Sequence, residues 1–234
     1  MFVNASQVRV ATFDCFGTLI DWEGGLANFL YDMALRHEPE PAENGHALRE
    51  RWEAMQFGII QGEYLTYKEV LARSLRAWME ERGYPWREEY GADLVRSMRS
   101  WQPFPDTRPA LEQVRQQGWD LVILSNTDDD IIAHSLQHMG VPFKDVVTAE
   151  QCGSYKPSLN NFETALYRIG VSRDRLLHVA ESLFHDIAPA KQIGLDTVWV
   201  HRRAGKEGFG AAPPANAKPE SEVPDLATLV SILC

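Results

Sequence analysis

The stretch Val10-Ala-Thr-Phe-Asp14-Cys-Phe-Gly-Thr18-Leu-Ile-Asp-Trp-Glu23 decides the fold. A short apolar, β-prone run reaches one carboxylate and breaks at Gly17-Thr18. Such a run predicts a buried strand, because a parallel sheet covered by helices on both sides needs apolar residues on both faces. Asp14 then stands at the carboxyl end of a strand, where open α/β sheets place their ligands. On this stretch alone it can be a turn cap or a catalyst.

Working outward, the next ~80 residues carry no convincing strand. Leu26, Phe29, Leu30 and Met33 recur at helical spacing, and Glu38-Pro-Glu-Pro-Ala-Glu-Asn-Gly45 interrupts the pattern. Leu48, Trp52, Met55 and Ile59 mark a second helix. Thr66-Tyr-Lys-Glu69 has the form of a capping box opening a third, which Gly83 and Pro85 end. Leu94 and Met98 belong to a fourth. From residue 105 the texture changes. Apolar runs at 120–126, 146–148, 176–180 and 197–200 alternate with helical stretches closing at Gly118, Gly140, Gly170 and Gly194. This alternation predicts an α/β, doubly wound, mostly parallel sheet. The expected organisation is a core of residues 1–20 and 101–234 with an all-helical insertion over 21–100. Residues 204–223, rich in Gly, Ala and Pro, read as a surface loop, and 225–233 as a last amphipathic helix.

Composition bounds the function. The chain has 234 residues, 44% of them hydrophobic, and a net charge of -10. That is enough for a sizeable core. Acidic and basic residues are mixed, without the clustered Lys and Arg of a nucleic-acid footprint. No apolar run approaches the ~20 residues needed to span a bilayer. Cys15, Cys152 and Cys234 are odd in number and far apart, which argues against a disulfide framework or a zinc cluster. The first residues lack the basic-then-apolar pattern of a signal peptide. A cytoplasmic protein acting on a small molecule is the expectation.

In a parallel sheet, residues just past the strand ends converge on one rim. Here they are Asp14, then Ser125-Asn126, then Lys156, then Glu181 and Asp186. Each has an ordinary reading: a turn for Ser125-Asn126, a solvated charge for Lys156, helix-start charges for Glu181 and Asp186. Their order and joint placement point to a site. The set Asp14-x-Phe-Gly-Thr18-Leu, Leu-Ser125-Asn126, Tyr-Lys156-Pro and Glu181-x4-Asp186 resembles the haloacid dehalogenase (HAD) superfamily of hydrolases, and most of all its type II 2-haloacid dehalogenases. The resemblance covers essentially the whole chain, and the helical insertion matches that family's cap domain.

The resemblance implies roles. Asp14 would be a nucleophile forming a covalent ester, and Lys156 would hold it ionised. Ser125 and Thr18 would bind the substrate's anionic oxygens. Asn126 would help cradle a departing halide, and Asp186 would activate the hydrolytic water. Phosphatases of the superfamily carry a second Asp two residues after the nucleophile, to protonate the leaving group. Phe16 stands there and transfers no proton, whereas a halide departs without one. The leading expectation is therefore cleavage of a carbon–halogen bond in a small anionic 2-haloacid, with no cofactor.

The dehalogenases also use an Arg from an early cap helix. Arg49 and Arg51 are both candidates, and Arg51 is favoured because it adjoins Trp52. Relatives are often dimers, so the resemblance leaves a homodimer open, with no interface assigned.

Glu181 fits less well. Asp14, Glu181 and Asp186 resemble the carboxylates with which family phosphatases hold Mg²⁺. A Mg²⁺-dependent phosphatase or phosphonatase-like hydrolase is accordingly the second reading. A binder of small acids without chemistry is the third, and the intact Asp14, Ser125 and Lys156 argue against it. His185 could accept a proton beside Asp186, although a helix-surface position is the simpler expectation. Trp22 and Phe184 could line the pocket or belong to the core. Cys15 should point away from the rim, since strand side chains alternate.

Overall fold

The computed structural model describes residues 10–204 and 215–233. The opening run forms strand β1 (Val10–Phe13), buried at every position. Strands β2 (Asp120–Ser125), β3 (Asp145–Thr148), β4 (Leu176–Ala180), β5 (Asp196–Val200) and β6 (Ser221–Val223) complete one sheet in the order β3-β2-β1-β4-β5-β6. Every pairing is parallel, and Phe13 of β1 lies level with Ile123 of β2 and Val179 of β4. The sheet therefore has the doubly wound character expected, with β1 central and its carboxyl end flanked by those of β2 and β4. Strand β6 departs from the loop expected over this stretch; its three residues sit at the sheet edge. Residues 205–214 of that expected loop lie outside the described residues, as do residues 1–9 and Cys234.

After β1 the chain makes a tight loop in which Phe16 bridges Ile20. Gly17 adopts a φ of 93°, a region that side-chain-bearing residues avoid. Four helices follow: α1 (Trp22–Leu35), α2 (Gly45–Ile60), α3 (Tyr67–Glu81) and α4 (Glu89–Met98). Asp21 caps α1 by accepting from the Gly24 N–H at 2.9 Å. The Thr66/Glu69 capping box at α3 forms as its spacing predicts. Buried Leu26, Leu30, Trp52, Leu75 and Trp78 fill the interior of this helical layer.

The rest of the chain supplies α5 (Thr107–Gln116), α6 (Asp129–Met139), a short α7 (Ala149–Cys152), α8 (Leu159–Ile169), α9 (Ala188–Gln192) and α10 (Leu226–Leu233). Among the described residues no helix is long and apolar enough to cross a membrane.

The helical layer is fastened to the sheet by a buried carboxylate. Asp128, just past β2, accepts from the Tyr67 and Lys68 N–H groups of α3 at 2.8 and 2.9 Å. Tyr155 adds a bond to the Leu65 carbonyl at 2.9 Å. First-turn N–H groups have no partner within their own helix, so Asp128 acts as a cap supplied from across the interface. Asp128→Ala is expected to cost about 1–2 kcal/mol, as other cap removals do. Thermal denaturation would register this as a fall of roughly 2–8 °C, with faster amide exchange at Tyr67 and Lys68.

Candidate active site

Three strand ends bring Asp14, Lys156 and Asp186 together. The Lys156 ammonium is buried and donates to Asp14 Oδ1 at 2.9 Å, Asp186 Oδ1 at 2.5 Å and the Leu124 carbonyl at 2.8 Å. Burial alone would lower its pKa, but the two carboxylates overcome that and hold it above its ordinary value. Asp14 is pushed up by burial, against the pull of Lys156. Asp186 is also buried, yet Lys156 and a bond from His178 bring it down to about 2. Asp186 is thus the firmly ionised member of the pair.

Thr18 donates to Asp14 Oδ2 at 2.7 Å and accepts from the Glu181 N–H at 2.9 Å. Its hydroxyl is buried and its one proton is committed to Asp14. Thr18 does not line the cavity, which corrects the expectation that it binds substrate: it holds the Asp14 carboxylate and ties β1 to the segment after β4.

Asp14, Phe16, Ser125, Asn126, Lys156, Glu181, His185 and Asp186 all line one cavity between the sheet and the helical layer. Trp22, Glu23, Gln56, Ile60 and Tyr67 close it from the helical side. Asn126 bonds both ways to the Lys156 backbone, at 2.7 and 3.0 Å, so it also fixes the loop that carries the lysine. Cys15 is buried away from the cavity, and burial raises its thiol well above the usual range. Trp22 reaches the cavity, whereas Phe184 packs edge-on against Phe57.

The arginine expectation is overturned. Arg51 is 56% exposed and pairs with Glu43 at 3.0 Å, outside the cavity. Arg49 is buried, but it is consumed by Glu53 at 2.7 Å and Glu23 at 3.1 Å. Glu23 also pairs with Arg203. Where an arginine was expected to face the substrate, the wall carries the Glu23 carboxylate. The i,i+4 spacing of Arg49 to Glu53 was the available signal for this pairing.

His185 departs from the helix-surface expectation too. Residues Leu183–Ile187 close as a single wide π-turn instead of an α-turn. The ring lines the cavity with Nε2 buried and without a partner among the described residues, and burial lowers its pKa to about 4.

Glu181 is pushed up to about 8 by burial, then by Glu23 and Asp14. The folded chain thus binds a proton there that the unfolded chain releases near 4.5. Stability carried by this group falls as pH rises from about 4.5 to about 8. Glu181→Gln removes the ionisation. It should raise Tm above the parent's at pH 8.5, by roughly 2–4 °C per kcal/mol recovered, and leave it near the parent's at pH 4. Calorimetry at both pH values checks this; an equal shift at both would contradict it.

The carboxylates of the second reading, Asp14, Glu181 and Asp186, line the same cavity, and Lys156 pairs with Asp14 and Asp186. Among the described residues no group of three or more His, Cys, Asp or Glu side chains is gathered to hold a metal ion.

The sequence singles out neither the cavity-wall residues Glu23, Gln56, Ile60 and Tyr67 nor His178 behind the site. His178, inside β4, is fully buried and bonded to Asp186 Oδ1 at 2.9 Å. Its signal was a polar residue in an otherwise apolar run.

A parallel α/β sheet with these residues along its carboxyl rim defines a HAD-type hydrolase. Residues 8–194 match the haloacid dehalogenase-like hydrolase family, and the chain belongs to it. The protein is an enzyme of that family. It is 25% identical over 231 residues to haloacetate dehalogenase H-2 of Moraxella sp. (strain B), covering 97% of this chain and 98% of that protein. The L-2-haloacid dehalogenase RSc1362 superposes with a TM-score of 0.82 at 23% identity, over 97% of this chain and 99% of that one. The L-2-haloacid dehalogenase of Xanthobacter autotrophicus, solved with chloropropionic acid covalently bound, gives 0.79 at 20% identity over 97% and 98%.

Proposed function

We propose that this enzyme hydrolyses the carbon–halogen bond of a small 2-haloacid through an ester on Asp14. Phe16 carries the reading: the cavity has an aromatic ring where a phosphatase holds its acid, which suits a leaving group that departs as a stable anion. The dehalogenase relatives support it, including the one that holds chloropropionic acid covalently.

An Asp14 oxygen attacks C2, the carbon–halogen bond breaks, and halide leaves with the bonding electrons. Lys156 then polarises the carbonyl of the new ester. Water adds to that carbonyl carbon while Asp186 takes its proton. The tetrahedral intermediate collapses, releasing the 2-hydroxyacid and restoring the Asp14 carboxylate with one oxygen from water. Ser125 and neighbouring backbone N–H groups bind the substrate carboxylate. With Arg49 consumed by Glu23 and Glu53, the halide is received by Asn126 and the aromatic wall of Phe16, Trp22 and Tyr67. The helical layer serves as the cap that excludes bulk water.

The deciding assay is incubation with 2-chloropropionate, fluoroacetate and p-nitrophenyl phosphate, each with Mg²⁺ or with EDTA. Halide release that survives EDTA is expected. Phosphate release that requires Mg²⁺, without halide release, would overturn the reading.

A further inference from the structure

Behind Asp186, on the side away from the substrate, lies a chain of buried groups that the reaction above does not use. His178 Nε2 stands 2.9 Å from Asp186 Oδ1, and His178 Nδ1 stands 2.9 Å from Thr12 Oγ1. Thr12 is the residue of β1 in register with His178 of β4, and both are buried. Phe162 meets the imidazole edge-on, with ring centres 5.2 Å apart.

The proton positions follow from the partners. An ionised carboxylate only accepts, so the nitrogen facing Asp186 carries a hydrogen. In a neutral imidazole the other nitrogen then holds a lone pair, and the group facing it is the Thr12 hydroxyl. That hydroxyl has a second acceptor in the Leu177 carbonyl, but at the longer distance of 3.2 Å. In the neutral ring Thr12 therefore donates to Nδ1 and His178 donates from Nε2; Thr12 donating to the Leu177 carbonyl and accepting from Nδ1 would instead require an imidazolium.

Asp186 Oδ1 thus receives two donors, Lys156 and His178. Oδ2 takes no hydrogen bond from the described residues and is not sealed from solvent, and Asp186 lines the cavity. A carboxylate rotates softly about its last bond, with two nearly equivalent settings. Lys156 also bonds Oδ1, but its ammonium is shared with Asp14 and the Leu124 carbonyl, and its hold on Asp14 changes when Asp14 becomes an ester. A ring anchored in a central strand does choose between the two settings.

We propose that His178, held in its Nε2–H tautomer by Thr12, is a positioning residue that pins Asp186 Oδ1 to the sheet and leaves Oδ2 as the oxygen that takes the proton from the hydrolytic water. This rests on the dehalogenase reading, in which only the second half of the reaction needs Asp186 as a base. Attack of Asp14 on C2 does not.

The two halves can be separated by rapid quench with 2-bromopropionate on the full chain. His178→Phe, His178→Gln and Thr12→Val should each release a burst of about one bromide per site at the parent's rate. Turnover should then fall by roughly 10- to 100-fold in His178→Phe, a fraction of what a general base contributes. The ester should accumulate on the Asp14 peptide, read by mass. His178→Gln keeps a donor near Oδ1 and should recover part of the turnover. Thr12→Val preserves shape and should fall between, so the test survives if His178→Phe does not fold. Unchanged turnover, or burst and turnover falling together, would overturn the proposal.

A second measurement is independent of activity. Nitrogen–proton correlation spectra of the free enzyme should show the Nε2–H tautomer at His178, and a changed pattern in Thr12→Val. An imidazolium or an Nδ1–H tautomer would refute the relay. A parent enzyme that releases no halide from any 2-haloacid would refute the dehalogenase reading instead, and the tautomer would still decide the relay.

Discussion

Asp14→Asn is expected to abolish halide release, by roughly ten-thousand-fold or more, as loss of the nucleophile does in other covalent enzymes. The fold should survive, because Lys156 keeps its bonds to Asp186 and to the Leu124 carbonyl. The amide is isosteric but a poor nucleophile, so no ester forms and no mass adduct appears. Single turnover of the parent in H₂¹⁸O should place the label in Asp14, because the water oxygen enters at the ester carbonyl. Asp186→Asn makes the contrast: it should release one halide per site and then stall with the ester in place. Turnover without label in Asp14, or full activity in Asp14→Asn, would refute the ester mechanism.

The rim of the sheet was legible in the sequence because its logic is local. The runs were mostly apolar, and each polar residue fell at its strand's carboxyl end or in the connection that follows it. Parallel pairing then had one way to bring Asp14, Ser125, Lys156 and Asp186 to a common edge. What stayed hidden depends on angle or on distant partners. Arg49 and Arg51 are two positions apart, so on a helix turning about 100° per residue they face different sides. Adjacency to Trp52 in sequence did not put Arg51 on the buried side of the helix with it. His185 does not take the helix-surface position because its turn is a π-turn and not an α-turn. Thr18 was given a substrate role because a free hydroxyl and a consumed one look alike in sequence. Asp128 opens a run of three aspartates that reads as ordinary helix-start charge, while its partners lie about sixty residues earlier. Strand β6 is three residues long in a Pro- and Ala-rich stretch, too short for any periodicity.

Lys156→Met should be the most destabilising single change at the site. Two carboxylate oxygens lie within 2.9 Å of the one Lys156 nitrogen, in a buried setting. Removing that charge leaves the carboxylates facing each other unpaired, which in buried ion pairs costs about 3–5 kcal/mol. For a chain of this size Tm would fall by roughly 6–20 °C. The pH dependence distinguishes this cause from lost packing. In the parent, Asp186 sits at about 2 against an ordinary 3.8, so its contribution is present above that ordinary value and disappears as pH falls toward 2. In Lys156→Met the two carboxyls would share a proton, with at least one pKa raised. The variant's stability then rises as pH falls, so its deficit should be large at pH 8 and small near pH 4. A deficit constant across that range would point to packing alone. Activity should fall along with it, because a protonated Asp14 is no nucleophile and nothing remains to polarise the ester carbonyl. Lowering the pH would restore stability to this variant but not catalysis, and that divergence marks Lys156 as part of the chemistry as well as of the fold.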